Sequence, residues 1–108
     1  MPDRALIQDP ILKRLREVLG EVYGDRLERA VLYGSRARGD AGPDSDYDVA
    51  VFLRDMADRP GEMTRLADIG TDILFAADAV IHAMPYPAGA YRERTPLMRE
   101  IRHDGIDL

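Results

Sequence analysis

Residues 30–53 constrain the fold of this chain more than any other segment, because two strand-like runs stand there on either side of a tight turn. The run Ala30-Val31-Leu32-Tyr33 has the composition of a buried strand and stops at Gly34. A glycine lets the backbone turn sharply and approach a ligand closely. After the turn-rich residues 40–44, the run of residues 46–53 has the β-branched and aromatic content of a second strand.

The turn that follows the first strand has the features of an anion site. Ser35 opens a segment, residues 35–39, that fits one helical turn. The first N–H groups of a helix lack partners within the helix, so these groups and the Ser35 hydroxyl would face an anion such as phosphate. The pair Gly34-Ser35 also occurs in ordinary turns, and alone it does not identify a phosphate site.

Two carboxylates stand at the start of the second strand. Alternation places Asp46 and Asp48 on one face, roughly 6.6 Å apart along the strand. Carboxylates this close repel each other unless a cation lies between them, and oxygen ligands suit Mg²⁺ better than zinc. Aspartates are ordinary turn residues as well. However, Asp48 precedes an apolar strand, where an unpaired charge is costly, so the functional interpretation is favoured.

At this point the sequence resembles a known family. The run GSRARGD at residues 34–40, together with Ser45-Asp46-Tyr47-Asp48-Val49, is similar to the signature of the minimal nucleotidyltransferases (MNT). These are small members of the DNA polymerase beta-like nucleotidyltransferase superfamily. The resemblance is close across residues 30–53, and the order of elements elsewhere is compatible with it.

The resemblance implies roles for the residues of both motifs. Gly34 and Ser35 would hold the β- and γ-phosphates of a nucleoside triphosphate, and Asp46 and Asp48 would bind Mg²⁺, with two ions expected. Two arginines beside the turn are candidates for neutralising triphosphate charge, although exposed arginines are as often only solvated. These arginines are Arg36 and Arg38.

The family mechanism needs a third carboxylate on a later strand, and here the sequence departs from the pattern. The predicted third strand, residues 79–84, contains no acidic residue. Asp78 stands at its entrance, and alternation would put Asp78 and His82 on the same face. Asp78 is therefore the first candidate for the third ligand. His82 is the second, since neutral imidazole can bind a metal or accept a proton. Alternatively, Asp78 ends a helix and His82 is a packed strand residue.

The remaining elements follow from caps and periodicity. Asp9-Pro10 predicts the start of a helix that ends near Gly24. A second helix should begin near residues 58–60, and a last one should run from Thr95-Pro96 to Gly105. Two prolines predict a loop at residues 85–91. The buried stripe expected on the second helix comprises Met63, Leu66, Gly70, Ile73, Leu74 and Ala77. The resulting fold class is α+β, a small mixed β-sheet with helices packed against it.

Composition excludes several classes of protein. At 108 residues with 45% hydrophobic and 32% charged residues, the chain is expected to be one domain, residues 1–108. The net charge of −5 argues against duplex nucleic acid as the main partner. No apolar run approaches the ~20 residues of a membrane span, and no signal peptide is visible. Absence of cysteine agrees with a reducing compartment, so a cytoplasmic protein is expected.

The predicted activity is a Mg²⁺-dependent transfer of a nucleoside monophosphate, with AMP from ATP as the expected donor, to a hydroxyl. Since the sequence shows no second domain to cover the acceptor, a macromolecular acceptor is expected. The resemblance implies a HEPN-domain toxin, for which the chain would be the antitoxin in a hetero-oligomer. The alternative is a non-catalytic antitoxin or binding subunit that keeps the fold without turnover, and the unsettled identity of the third carboxylate is the main argument for it.

Overall fold

The computed structural model describes residues 8–42 and 44–108 as four helices and a four-stranded sheet. The helices are α1 (Pro10–Tyr23), α2 (Ser35–Arg38), α3 (Arg59–Ala77) and α4 (Pro96–Asp104). The strands are β1 (Leu27–Tyr33), β2 (Tyr47–Leu53), β3 (Ile81–Pro87) and β4 (Ile106–Asp107). Short 3₁₀ turns cover Gly24–Arg26 and Ala88–Arg92. The predicted α+β class with a mixed sheet is confirmed.

The sheet has the strand order β3-β2-β1-β4. β1 is antiparallel to both β2 and β4, whereas β2 and β3 are parallel and are joined through α3, as a parallel pair requires. The register pairs Tyr33 with Asp48 across β1 and β2, and Asp48 with His82 across β2 and β3. These three residues therefore form a row across the sheet.

The two faces of the sheet bury different layers. Val49, Val51 and Leu53 pack with α1 and α3 in the larger core. Ala50 and Phe52 point the other way and pack with Met98 and Ile101 of α4. Because side chains alternate along a strand, Asp48 lies on the α4 side of the sheet, opposite the larger core.

The three longer helices begin as the sequence predicts. Each has a side-chain N-cap and a proline at one of its first two positions; for α1, Asp9 accepts the Ile11 N–H at 2.8 Å. The other caps are Asp58 of α3 and Thr95 of α4. Across the described parts of the chain, none of these helices has the length and apolar character needed to cross a membrane.

The buried stripe of α3 is only partly as predicted. Met63 and Leu74 are 40% and 39% exposed, and Ala77 is exposed as well. Met63 and Leu74 line an open groove between α3 and β3, which is an edge strand of the sheet. Gly70 does mark a close contact, because a Cβ there would lie 3.2 Å from the Ile81 carbonyl oxygen.

The loop predicted at residues 85–91 is wrong, since β3 continues through Pro87 and a 3₁₀ turn follows. The Tyr47 N–H donates to the Val80 carbonyl at 2.9 Å, so the backbone groups of Val80 and of every second residue after it point toward β2. Pro85 and Pro87 belong to the other set, whose backbone groups point away from the sheet. Their missing N–H groups therefore remove no bond of the ladder, and β3 is an edge strand that tolerates them.

Candidate active site

Gly34 joins the two halves of the candidate site. Its backbone has φ 76° and ψ −156°, a conformation that side-chain-bearing residues rarely adopt. A Cβ built on Gly34 would lie 2.7 Å from Asp48 Oδ2, which is shorter than the non-bonded contacts that Cβ atoms make in proteins. Glycine is thus required both by the turn and by the contact, and the Asp48 carboxylate lies directly against the turn.

Ser35 begins α2, and the helical turn predicted from the sequence is confirmed. α2 ends at Gly39, whose left-handed φ of 83° closes the turn, and the Asp40 N–H donates to the Ser35 carbonyl at 3.1 Å. The half-buried Ser35 hydroxyl and the N–H groups at the start of α2 stand beside Gly34. This end of α2 is consequently adjacent to the Asp48 carboxylate.

Asp48 is the best-defined acidic group of the site, with its side chain 34% exposed. Burial raises the pKa of its carboxyl group, His82 and Arg38 oppose the rise, and the negative charge of Asp46 adds to it. Asp46 is itself exposed and precedes β2 by one residue. The charge of Asp46 thus acts on Asp48, although Asp46 lies outside the strand on which the sequence placed both residues.

The donor set fits a hard divalent cation. Two carboxylates provide oxygen ligands of the kind Mg²⁺ prefers, and a cation beside them would lower the pKa of the Asp48 carboxyl group, which burial raises. Gly34 itself adds no side chain next to Asp48 Oδ2. Asp46 and Asp48 are the residues that would hold Mg²⁺.

The two candidates for the third ligand lie in different places. His82 belongs to β3, and its Nδ1 is 3.8 Å from Asp48 Oδ1. Asp78 does not begin the strand, as the sequence analysis expected; it ends α3 in a left-handed conformation with φ 55°. It lines a cavity of about 460 Å³ together with Arg36 and Tyr47, not with Asp48. Among the described residues, no three His, Asp or Glu side chains are grouped closely enough to hold a metal ion.

The two arginines of α2 point to opposite sides. Arg36 donates from Nε to the Ser45 carbonyl at 2.8 Å, and its guanidinium carbon lies 4.0 Å from the centre of the Tyr47 ring. Arg38 instead forms ion pairs with carboxylates on both sides of α2, including two in α4. Its partners are Asp40 at 3.4 Å, Glu100 at 3.4 Å and Asp104 at 3.7 Å. Each arginine therefore already ties α2 to another part of the fold.

Comparison with known proteins gives the family of this fold and site. Residues 12–95 match the family described as the nucleotidyltransferase domain. The chain belongs to this family. A relative from Methanocaldococcus jannaschii, named "putative protein adenylyltransferase", is 26% identical over 98 residues, which cover 91% of this nucleotidyltransferase and 95% of the relative.

Solved structures share the fold of this nucleotidyltransferase at low sequence identity. A toxin–antitoxin complex with AMP-PNP aligns with a TM-score of 0.63 at 20% identity, covering 88% of this chain and 69% of the other. A mutant of the toxin–antitoxin complex MntA–HpeT aligns with a TM-score of 0.59 at 18% identity, covering 87% of this chain and 70% of the other. At these identities the comparison shows the fold alone.

Tyr33 is a residue of the candidate site that the sequence analysis missed. It is half-buried and pairs directly with Asp48, on the side opposite His82. Burial raises the pKa of its hydroxyl group to about 12, with smaller contributions from Tyr86, Asp48 and Glu100. Its position immediately before Gly34 was visible in the sequence. Its contact with Asp48 was not, because that contact depends on the register between β1 and β2.

Proposed function

We propose that this nucleotidyltransferase transfers AMP from ATP to a hydroxyl group on a macromolecular acceptor, in a reaction that requires two Mg²⁺ ions. We infer further that the acceptor is a HEPN-domain toxin and that the chain acts as its antitoxin. Asp46 and Asp48 bind the metal in this proposal. Gly34, Ser35 and Arg38 bind the phosphates.

The contact between Gly34 and Asp48 carries the proposal. A phosphate-binding turn and a carboxylate must lie side by side if a cation is to bridge a protein oxygen and a phosphate oxygen. The 2.7 Å between Asp48 Oδ2 and the position of a Gly34 Cβ supports such an arrangement. Support for adenylyl transfer comes from the name of the archaeal relative, and support for a nucleotide and a toxin comes from the complex that contains AMP-PNP.

In the proposed reaction, an acceptor hydroxyl oxygen forms a bond to the α-phosphorus of ATP. The bond from that phosphorus to the bridging oxygen of the β-phosphate breaks, and pyrophosphate leaves with the bonding electrons. Mg²⁺, when bound, neutralises the phosphate charge and favours the departure of pyrophosphate. The chain's own contribution is positioning: the Ser35 turn would orient the phosphates against Asp48 at the start of β2.

His82 is proposed as the residue that completes the site and takes the hydroxyl proton. Its imidazole stands in the row with Asp48, 3.8 Å from the carboxylate, and is 71% exposed toward an incoming acceptor. A neutral imidazole can accept a proton near neutral pH. Asp78, at the end of α3, is less well placed, because it lines a different cavity.

Arg38 would have to exchange partners to bind a phosphate. Its guanidinium group is exposed and is held by the Asp40, Glu100 and Asp104 carboxylates. A triphosphate offers the same bidentate acceptor geometry with more charge. Replacement of carboxylate partners by phosphate is therefore chemically reasonable for this residue.

The test is transfer of label from ATP labelled at the α-phosphate. The purified protein is incubated with Mg²⁺ and with the protein encoded by the neighbouring open reading frame, and the products are separated on a denaturing gel. Label that remains on the acceptor band, and that requires both Mg²⁺ and Asp48, supports the proposal. A stable complex that acquires no label contradicts it.

The second candidate function is a non-catalytic antitoxin that binds the toxin without modifying it. The observation that favours it is the lack of a third carboxylate near Asp48 within the described residues. This candidate predicts that Asp48→Asn still neutralises the toxin in growing cells. The catalytic proposal predicts that the same variant loses neutralisation while it keeps the complex.

A further inference from the structure

We infer that Arg36 is a positioning residue, which fixes the segment that carries Asp46 relative to the phosphate turn, and that it does not bind phosphate itself. The inference deepens the proposed function and, in its consequences for metal binding, rests on it.

Arg36 holds both chain neighbours of Asp46. Its Nε donates to the carbonyl of Ser45 at 2.8 Å, and its guanidinium group lies over the ring of Tyr47 with 4.0 Å between the guanidinium carbon and the ring centre. The hydrogen bond and the cation–π contact fix the backbone before Asp46 and the side chain after it. Asp46 itself, which is exposed, makes no such anchoring contact among the described residues.

Tyr47 is in turn fixed from its other end. The ring is 5% exposed, and its hydroxyl donates to Asp9 Oδ2 at 2.6 Å. Asp9 uses its other oxygen, Oδ1, to cap α1 through the Ile11 N–H. A chain of contacts thus runs from α2 through Arg36 and Tyr47 to the start of α1. Because each group has a defined partner, the chain resists movement of the segment as a whole.

The face on which Arg36 acts argues against direct contact with the nucleotide. Tyr47 belongs to the core between the sheet and helices α1 and α3. Side chains alternate along the strand, so Asp48 points to the opposite face. The Arg36 guanidinium, stacked on Tyr47, therefore lies on the side of β2 away from the Asp48 carboxylate. From there it sets the position of Asp46 without approaching the phosphates that Asp48 would face.

The consequence is that Arg36 couples the two halves of the site. Arg36 follows Ser35 directly in α2, so its backbone moves with the phosphate turn, while its side chain holds the residues around Asp46. Loss of the side chain should let the Asp46 segment move independently of the turn. Mutation of a residue that holds a metal ligand in place typically lowers metal affinity by about 10–100-fold, and a loss of that order is expected for Arg36.

The experiment compares Arg36→Lys and Arg36→Ala with the wild type. Lysine keeps the charge that a phosphate ligand would need, but it lacks both the Nε donor and the planar group that covers Tyr47. Arg29→Lys is the matched control, because the Arg29 guanidinium carbon lies 3.9 Å from the centre of the Tyr91 ring and, among the described residues, Arg29 pairs with Asp107 and not with the site.

Two measurements separate the inference from the proposed function. Amide hydrogen exchange of the ligand-free protein monitors Ser45 and Tyr47, whose N–H groups donate to Gly42 at 3.2 Å and to Val80 at 2.9 Å. Calorimetry measures the affinity for Mg²⁺ with and without ATP. It also measures the affinities for ATP, ADP and AMP separately. Faster exchange at Ser45 and Tyr47 in both Arg36 variants, with Mg²⁺ affinity reduced about tenfold or more and Arg29→Lys unchanged, is the expected result.

Other results have distinct meanings. Unchanged exchange at Ser45 and Tyr47 would overturn the inference. A second pair of results would also overturn it. In that pair Arg36→Lys keeps the wild-type Mg²⁺ affinity, and Arg36→Ala loses nucleotide affinity in proportion to the number of phosphates, which is the behaviour of a phosphate ligand. If the wild type binds neither Mg²⁺ nor ATP, the proposed function is overturned. Faster exchange in the Arg36 variants would in that case still support the positioning role.

Discussion

Asp48 lies so close to Gly34 that the smallest possible side chain at residue 34 would collide with its carboxylate. A Cβ at Gly34 would be 2.7 Å from Asp48 Oδ2. The contact joins the end of β1, which carries the turn, to the second residue of β2, which carries the carboxylate. The glycine therefore determines where Asp48 stands as well as how the chain turns.

Gly34→Ala is expected to displace Asp48 and to abolish metal-dependent nucleotide binding. The strained backbone alone should lower the free energy of unfolding by about 1–3 kcal/mol. Gly24→Ala is the matched control, since Gly24 has φ 53° and ψ −127° with no atom near its Cβ position. Chemical denaturation should show destabilisation in both variants, at least as large in Gly34→Ala, and calorimetry should show loss of nucleotide binding only in Gly34→Ala.

Asp48→Asn is expected to lose Mg²⁺ binding and to fold at least as stably as the wild type. Burial raises the pKa of the Asp48 carboxyl, so the charged form destabilises the fold when no metal is present, and a neutral amide removes that cost. Thermal unfolding near neutral pH without metal should give a melting temperature equal to or above that of the wild type. Added Mg²⁺ should raise the melting temperature of the wild type but not that of Asp48→Asn.

The control for the loss of one charge is Asp55→Asn. Asp55 is exposed in the turn after β2 and has φ 54°, a left-handed conformation that asparagine also tolerates. This variant should keep the rise in melting temperature with Mg²⁺. If Asp55→Asn loses the rise as well, the effect of Mg²⁺ is one of overall charge and not of a site at Asp48.

His82→Gln and Asp78→Asn should separate the two candidates for the third ligand. His82 stands 3.8 Å from Asp48, whereas Asp78 ends α3 with φ 55°, a conformation that asparagine also adopts readily. His82→Gln is expected to lower the rate of label transfer to the acceptor by about 100-fold or more, the usual contribution of a general base. Asp78→Asn should keep both transfer and stability. The reverse pattern would restore Asp78 as the third ligand.

Ser35→Ala should weaken ATP binding without changing Mg²⁺ binding in the absence of nucleotide. The lost bond from a hydroxyl to a charged phosphate corresponds to about 1.5–3 kcal/mol, or roughly a 10–150-fold rise in the dissociation constant. Thr64→Ala removes a hydroxyl that is bonded only within α3 and serves as the control. Wild-type ATP affinity in Ser35→Ala would show that the Ser35 hydroxyl group does not bind the phosphates.

Alkaline pH should unfold the protein through its buried tyrosines. Burial, followed by the Glu62 charge, raises the pKa of Tyr23 to about 12, so folding retains a proton that the unfolded chain releases near pH 10. The stabilisation from this proton is complete below pH 10 and is lost as pH rises toward 12. Tyr23→Phe should therefore flatten the fall in unfolding free energy across that range, as measured by urea denaturation.

The local sequence was sufficient to predict the parts of the fold and site that depend on nearby residues. The strand that stops at Gly34, the single turn of α2 and the caps at Asp9, Asp58 and Thr95 all depend on residues within one turn of each other. These predictions are confirmed.

The features that the sequence did not reveal depend on pairing between distant strands. Tyr33 and His82 flank Asp48 only because of the register of β1, β2 and β3, which periodicity within a single strand cannot specify. For the same reason Asp78 was expected at the entrance of a strand that in fact starts two residues later, at Ile81 instead of residue 79. The two-residue strand β4 is too short to give any periodic pattern.

The prolines of β3 restrict how this sheet can grow. Along the outer edge of β3, Ile81 and Ala83 can offer N–H groups to another chain, but Pro85 and Pro87 cannot. A strand from a neighbouring molecule could therefore pair with only one half of this edge, the half next to His82. Polymerisation of the sheet into a fibril is thus opposed by the covalent structure of the edge itself, independently of salt and pH.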